Sequence, residues 1–169
     1  VSYQRYGGWY DGNGDEVIID NTQTGLQYSD RIDVMGTGTI NIDDHQQLQL
    51  TTQYYKSESD GKHGLFLGEN FAAVTGDAKA YNKDNLNSDR IPGTERHLIN
   101  LQYSNTDFWG QDLVAQIYYR DESLTYYPFP TLSKGAVTSI GASQQKTDFY
   151  GGKLTLNSKP IDDLTLTWG

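Results

Sequence analysis

The chain holds 169 residues, 36% hydrophobic and 21% charged, with 13 Tyr, 18 Gly, no Cys and a formal net charge of -9. The missing cysteine excludes a thiolate zinc ribbon, a disulfide framework and a cysteine nucleophile. With 13 Lys and Arg against 22 Asp and Glu, the chain lacks the basic surface that general nucleic-acid binding requires. No stretch reaches the roughly 20 consecutive apolar residues of a spanning helix, and the mean hydropathy of -0.68, taken alone, describes an acidic, soluble, β-rich domain.

The chain opens on Val1-Ser2-Tyr3-Gln4 without a basic segment or an apolar leader, so a processed chain or a piece of a longer one is expected. Residues 1–10 alternate weakly and form the faintest predicted strand. Asp11-Gly12-Asn13-Gly14-Asp15 offers oxygen ligands at the first, third and fifth positions of a calcium loop, but Glu16 stands where the loop needs Gly and Thr22 where it needs Glu. A Gly/Asn-rich connection is the better account.

From Leu26 the even positions read Leu26, Tyr28, Asp30, Ile32, Val34, Gly36, Gly38, Ile40, Ile42, and the odd ones Gln27, Ser29, Arg31, Asp33, Met35, Thr37, Thr39, Asn41. Successive strand side chains point to opposite faces, so this is one long strand with an apolar and a polar side. After Asp43-Asp44-His45 the alternation restarts, with Leu48, Leu50, Thr52 and Tyr54 opposing Gln47, Gln49, Thr51 and Gln53. It returns at Ile99, Leu101, Tyr103, at Leu113, Ala115, Ile117, Tyr119, at Tyr150, Gly152, Leu154, Leu156, and at Leu164, Leu166, Trp168. Asp30 is the single charge on the apolar side and Met35 the single apolar residue on the polar side of the first run, and Val114 is the exception in the 113–119 run.

Short turns fall at 43–46, 105–110 and 158–163, and long polar connections at about 11–24, 58–96 and 121–146. Long unstructured loops are uncommon in compact soluble domains. Alternating short and long connections between dyad strands are instead the plan of an outer-membrane barrel, in which one face meets lipid and the other water or a plug. The expected fold is all-β: an antiparallel, up-and-down transmembrane β-barrel, seen as an arc of about seven strands. Tyr103, Phe108 and Trp109 gather at a short turn, and Tyr54, Tyr55, Tyr118 and Tyr119 where strands enter long connections, as interfacial aromatic girdles require.

No nucleophile, zinc or phosphate-loop motif is present, and His45, His63 and His97 read as turn or loop residues. The 58–97 connection mixes Lys62, Lys79, Lys83, Arg90 and Arg96 with Phe66, Phe71 and Tyr81, side chains suited to an anionic ligand. Seven acidic residues in the same segment keep it from being a simple electrostatic funnel. In the 121–145 connection, Tyr126-Tyr127-Pro128-Phe129-Pro130 displays aromatics beside prolines that disfavour a central strand. The ligand candidates are therefore Tyr81, Lys83, Arg90, Arg96, Tyr126, Tyr127 and Phe129.

Three segments carry a resemblance: Gly7-Gly8-Trp9-Tyr10-Asp11-Gly12-Asn13-Gly14-Asp15, the stretch from Asp84 to Arg96, and Tyr118-Tyr119-Arg120-Asp121-Glu122-Ser123-Leu124-Thr125-Tyr126-Tyr127. In these the chain resembles the TonB-dependent outer-membrane receptors for ferric siderophores, along its whole length. The resemblance implies a 22-stranded barrel filled by a plug domain that residues 1–169 do not include. It also implies TonB-coupled import of an iron-loaded hydroxamate and citrate siderophore, with no covalently bound cofactor and no catalysis. Outer-membrane lipid, the TonB complex and a bacteriocin or phage are the implied partners. A rival class is a soluble or secreted β-rich carbohydrate-binding module using exposed Tyr and Trp; an enzyme ranks third, with no motif behind it.

Overall fold

The structure is a computed structural model, described over residues 1–17, 27–60, 64–67, 73–76, 91–126, 129–133, 136–141, 143–161 and 163–169. Eleven strands and no helix occur among them. Seven form one open sheet: β1 (Ser2–Tyr6), β2 (Ser29–Asn41), β3 (Gln46–Ser59), β6 (Gly93–Asn105), β7 (Asp112–Thr125), β10 (Gln144–Ile161) and β11 (Leu164–Trp168), paired in that order. Two small hairpins stand apart from it, β4 (Gly64–Leu67) with β5 (Ala73–Gly76), and β8 (Phe129–Ser133) with β9 (Ala136–Gly141).

The expected antiparallel up-and-down sheet is thus present, with differences at its margins. The 58–96 and 121–146 connections each hold a hairpin, and the flanking strands run further into them than the apolar alternation shows. β3 continues to Ser59 and β7 to Thr125, because ladder bonds persist after the apolar alternation gives way to mostly polar residues. β10 likewise runs past Leu156 to Ile161, with a register shift between Ser158 and Ile161 around Pro160. A bulge tolerates a residue that cannot donate to the ladder. His97 lies within β6, not in a loop, and stacks on Tyr54 at 4.9 Å between ring centroids.

Chain packing divides the molecule into two compact units. The first comprises Val1–Asp33, Tyr55–Glu95 and Ser123–Lys146, the strand ends next to the long connections; the second comprises Val34–Tyr54, Arg96–Glu122 and Thr147–Gly169, those next to the short turns.

In the first unit, Tyr3 pairs across β1 and β2 with Ile32, and its hydroxyl donates to Asp30 at 2.9 Å. The Asp11–Asp15 segment is a self-closed turn. The Asp11 carboxylate accepts the amides of Asn13 (2.8 Å) and Asp15 (3.0 Å), and Gly14 takes a positive φ of 90°. Those amides, Asp15 foremost, hold the Asp11 carboxyl below its ordinary value. No group of three or more residues able to hold a metal occurs among the described residues. Tyr28, left-handed at φ 52°, donates to Glu16. A side chain at Gly8 would collide with the Tyr28 ring, so a glycine there is a packing requirement, whereas Gly7 faces open space.

In the second unit the dyad pattern becomes two chemically distinct faces. One carries Ile40, Ile117 and Leu154 at 65%, 62% and 60% exposure, and an open apolar trough of about 490 Å³ bounded by Leu48, Leu101, Ala115, Ile117, Gly152 and Leu154. Among the described residues of the whole chain the largest fully buried side chain is Gln27. The bulky aliphatics therefore form no core; they coat the outside of a sheet. On the opposite face, polar side chains tie neighbouring strands together: Gln116 donates to Asn100 at 2.7 Å, Gln47 to Asn41 at 3.0 Å, and Thr167 to Asn157 at 2.8 Å.

The short turns are closed by their own carboxylates and amides. Asp43 accepts the amides of His45 and Gln46, both at 2.8 Å, and Asp107 that of Gly110 at 3.2 Å. The His45 amide is the main cause that lowers the Asp43 pKa, with the Gln46 side chain and amide adding to it. A carboxyl lowered by folding stabilises the turn fully above its unfolded value, about 4, and loses that contribution as pH falls through the lower folded value. The stability difference between the protein and Asp43→Ala should accordingly be constant above about pH 5 and shrink on further acidification. Amide exchange at His45 and Gln46 measures it, and a difference that stays flat to the acid limit would count against this role.

Candidate functional site

Aromatic residues mark both ends of the apolar face of the second unit, and their polar tips are engaged. The Tyr103 hydroxyl donates to Gln46 at 2.6 Å beside the short turns, where Phe108 and Trp109 also sit ring to ring at 4.5 Å. Beyond the apolar run Leu113, Ala115, Ile117, the Tyr119 hydroxyl donates to Asp148 at 2.8 Å. Apolar bodies with hydrogen-bonded tips are what interfacial rings require.

The polar face of the same unit holds a group of ligand-type side chains. Pleating sends Tyr118, Arg120 and Glu122 of β7 to this side, with Arg96 of β6 and Phe149 of β10. Tyr118 stacks on Phe149 at 5.7 Å with a 24° angle between the rings. A Cβ at Gly151 would lie 2.5 Å from the Tyr118 hydroxyl, so the glycine leaves the space in which that ring lies. The Arg120 guanidinium carbon sits 5.5 Å above the Phe149 ring. Next to it Arg96 Nε donates to Glu122 at 2.6 Å in a half-buried ion pair. The group thus combines an aromatic shelf, an internally neutralised pair and a second guanidinium.

In the first unit, Tyr126 donates through its hydroxyl to Gln145 at 3.2 Å, and Gln144 donates to Ser123 at 3.0 Å. A small recess of about 100 Å³ is bounded there by Lys56, Glu58, Gly93, Glu95, Thr125 and Gln144. Its size suits water or an ion better than a chelate. Arg31 lies 5.0 Å over the Tyr55 ring.

Of the seven ligand candidates, Arg96 and Tyr126 have described side chains, each engaged as above. Phe129 is placed by its backbone alone, opposite Gly141 in the β8–β9 hairpin; Tyr81, Lys83, Arg90 and Tyr127 lie outside the described residues, as does His63. Sequence reasoning passed over Arg120, Tyr118 and Phe149 as a ligand group. Their signal was parity: Phe149 is a bulky aromatic in the polar register of its strand, opposite in face to Tyr150 and Leu154.

Over its entire length the chain is 63% identical to the ferric aerobactin receptor of Klebsiella pneumoniae and 62% identical to that of Escherichia coli. It is 35% identical, again end to end, to the rhizobactin receptor of Rhizobium meliloti (strain 1021). The chain spans 23% of the length of each of these relatives. No protein-family model matches it, and no solved structure matches it significantly.

Proposed function

We propose that residues 1–169 are a β-barrel segment of an outer-membrane receptor that binds a ferric siderophore of the aerobactin type from outside and imports it with TonB-coupled energy. The observation that carries this reading is the end-to-end identity of 63% and 62% to ferric aerobactin receptors, joined to a sheet whose apolar side chains coat its surface. In a bilayer that face is solvated by acyl chains, and the polar face looks into the lumen. The edges of the open sheet, β1 and β11, carry ladder groups that hydrocarbon cannot satisfy, so flanking strands must complete the ring. The plug and the TonB-contacting segment belong to the remainder of such a receptor. Short turns lie on the periplasmic side, and the long connections with their hairpins lie outside.

The test is growth of an iron-starved Gram-negative strain lacking its own ferric aerobactin receptor. Supplying the complete receptor that contains this chain should restore growth on ferric aerobactin, and only while TonB is intact. Failure to restore growth, with the receptor folded in the outer membrane, would overturn the reading. The soluble-module alternative predicts something different: a folded monomer of the chain in buffer without detergent.

A further inference from the structure

The guanidinium of Arg120 is equipped for a partner that the described residues do not supply. Its Nε is buried without a hydrogen-bond partner, and none of the ion pairs among the described residues includes it. The neighbouring acid, Glu122, two positions along the same face, already accepts from Arg96. Asp121 points to the other side of β7 by pleating, and Asp148 alternates away from Phe149 on β10 and accepts from Tyr119. The polar face therefore holds one uncompensated positive charge at this point, in a chain whose formal net charge is -9. An unpaired buried donor is costly to leave unsatisfied, which makes it a sign of something that binds.

The geometry around it selects the chemistry. Phe149, itself stacked on Tyr118 over the space left by Gly151, supports the guanidinium from one side at 5.5 Å. Support of this kind holds a planar cation, and the fork of a guanidinium matches the two oxygens of a carboxylate. The height also fits a ligand. Arg120 follows directly on Tyr119, the ring that ends the apolar run of β7, so on the barrel reading it faces the lumen at the outer membrane boundary, above the mid-depth of the barrel.

We propose that Arg120 is a specificity-determining residue that grips a free carboxylate of the incoming ferric chelate, with Phe149 and Tyr118 as its positioning shelf. This rests on the receptor reading above and adds to it the residue and the ligand group it reads. The same guanidinium could instead seat a carboxylate of another part of the receptor, and the experiment separates the two.

Binding is measured on the complete detergent-purified receptor by quenching of its tryptophan fluorescence. The probes are ferric aerobactin and its ferric form methyl-esterified at the carboxylates that do not hold iron. Arg120→Ala and Arg120→Lys are compared with the parent, each checked for heat-modifiable migration as evidence of a folded barrel. The parent should prefer the free acid over the ester by about tenfold or more. Arg120→Ala should weaken the free acid to the level of the ester and lose the discrimination, with Arg120→Lys between them, since lysine keeps the charge but not the fork. Equal weakening of acid and ester, as a contact with another part of the receptor would give, overturns the proposal. So do unchanged affinities, or a parent that binds both forms alike. A parent that binds no ferric siderophore at all overturns the receptor reading as well, so the two failures are distinguishable.

Discussion

Replacing Ile117 by arginine is expected to destabilise the folded protein in a bilayer by roughly 1–2 kcal/mol, between the cost of a lipid-facing cation at the middle of the hydrocarbon band and the smaller cost at its boundary. Ile117 is 62% exposed on the apolar face and stands one pleat short of the Tyr119 boundary. Gln102→Arg is the matched control. It lies in the polar register of β6, where a charge meets water, and should change stability by less than about 1 kcal/mol. Urea-dependent folding of the complete receptor into lipid vesicles measures both. If the two substitutions cost the same, the apolar face does not meet lipid, and the sheet belongs to a soluble protein.

Breaking the Arg96–Glu122 pair should give the second large effect. The pair is charge-assisted at 2.6 Å, with side chains 36% and 26% exposed. That places it between surface pairs, worth about 0–1 kcal/mol, and well-formed charged hydrogen bonds, worth about 1.5–3 kcal/mol. Arg96→Ala or Glu122→Ala alone is expected to cost about 1–2 kcal/mol, and the double variant less than the sum, because the two substitutions remove one shared interaction. A double-mutant cycle on the same urea titration reads this directly. Additive costs would mean that the two side chains act independently. The pair braces β6 against β7, so its loss should move stability more than the acid-against-ester preference assigned to Arg120.

Much of the architecture could be read from alternation because the chemistry there is strictly local. Ile40, Leu48, Leu101, Ile117 and Leu154 each announce their face by the residue on either side, whatever the sheet packs against. Strand ends were less legible. β3 and β7 outrun their apolar stretches, and there backbone pairing, joined by polar contacts such as Arg96–Glu122 and Gln144–Ser123, holds Lys56 to Ser59 and Asp121 to Thr125 in the ladder. Polar side chains carry no period that marks such extensions. The hairpins inside the long connections were hidden for a related reason: Pro130 argues against a central strand but not against a two-stranded edge pair, where one of its sides needs no donor.

The ligand-type group was the least legible part. Arg120, Phe149 and Tyr118 come from strands far apart in sequence, and nothing in their spacing says that they meet. Charge and aromaticity in the long connections drew attention to Arg90, Arg96 and Tyr126 instead. Arg96 shows why composition misleads here. It looks like a free cation in the sequence, whereas its Nε is committed to Glu122, which lies 26 positions away along the chain.

The dipeptide Tyr118-Tyr119 has a further consequence. One ring stacks on Phe149 on the polar face, and its neighbour donates to Asp148 on the apolar face, so on the barrel reading two adjacent letters serve two different solvents. Inserting or deleting one residue upstream in β7 would exchange them, turning Arg120 toward lipid and Tyr119 into the lumen at a stroke. Related chains should therefore vary in length freely within the long connections, while changes inside β7 should come in steps of two residues or be absorbed by a bulge.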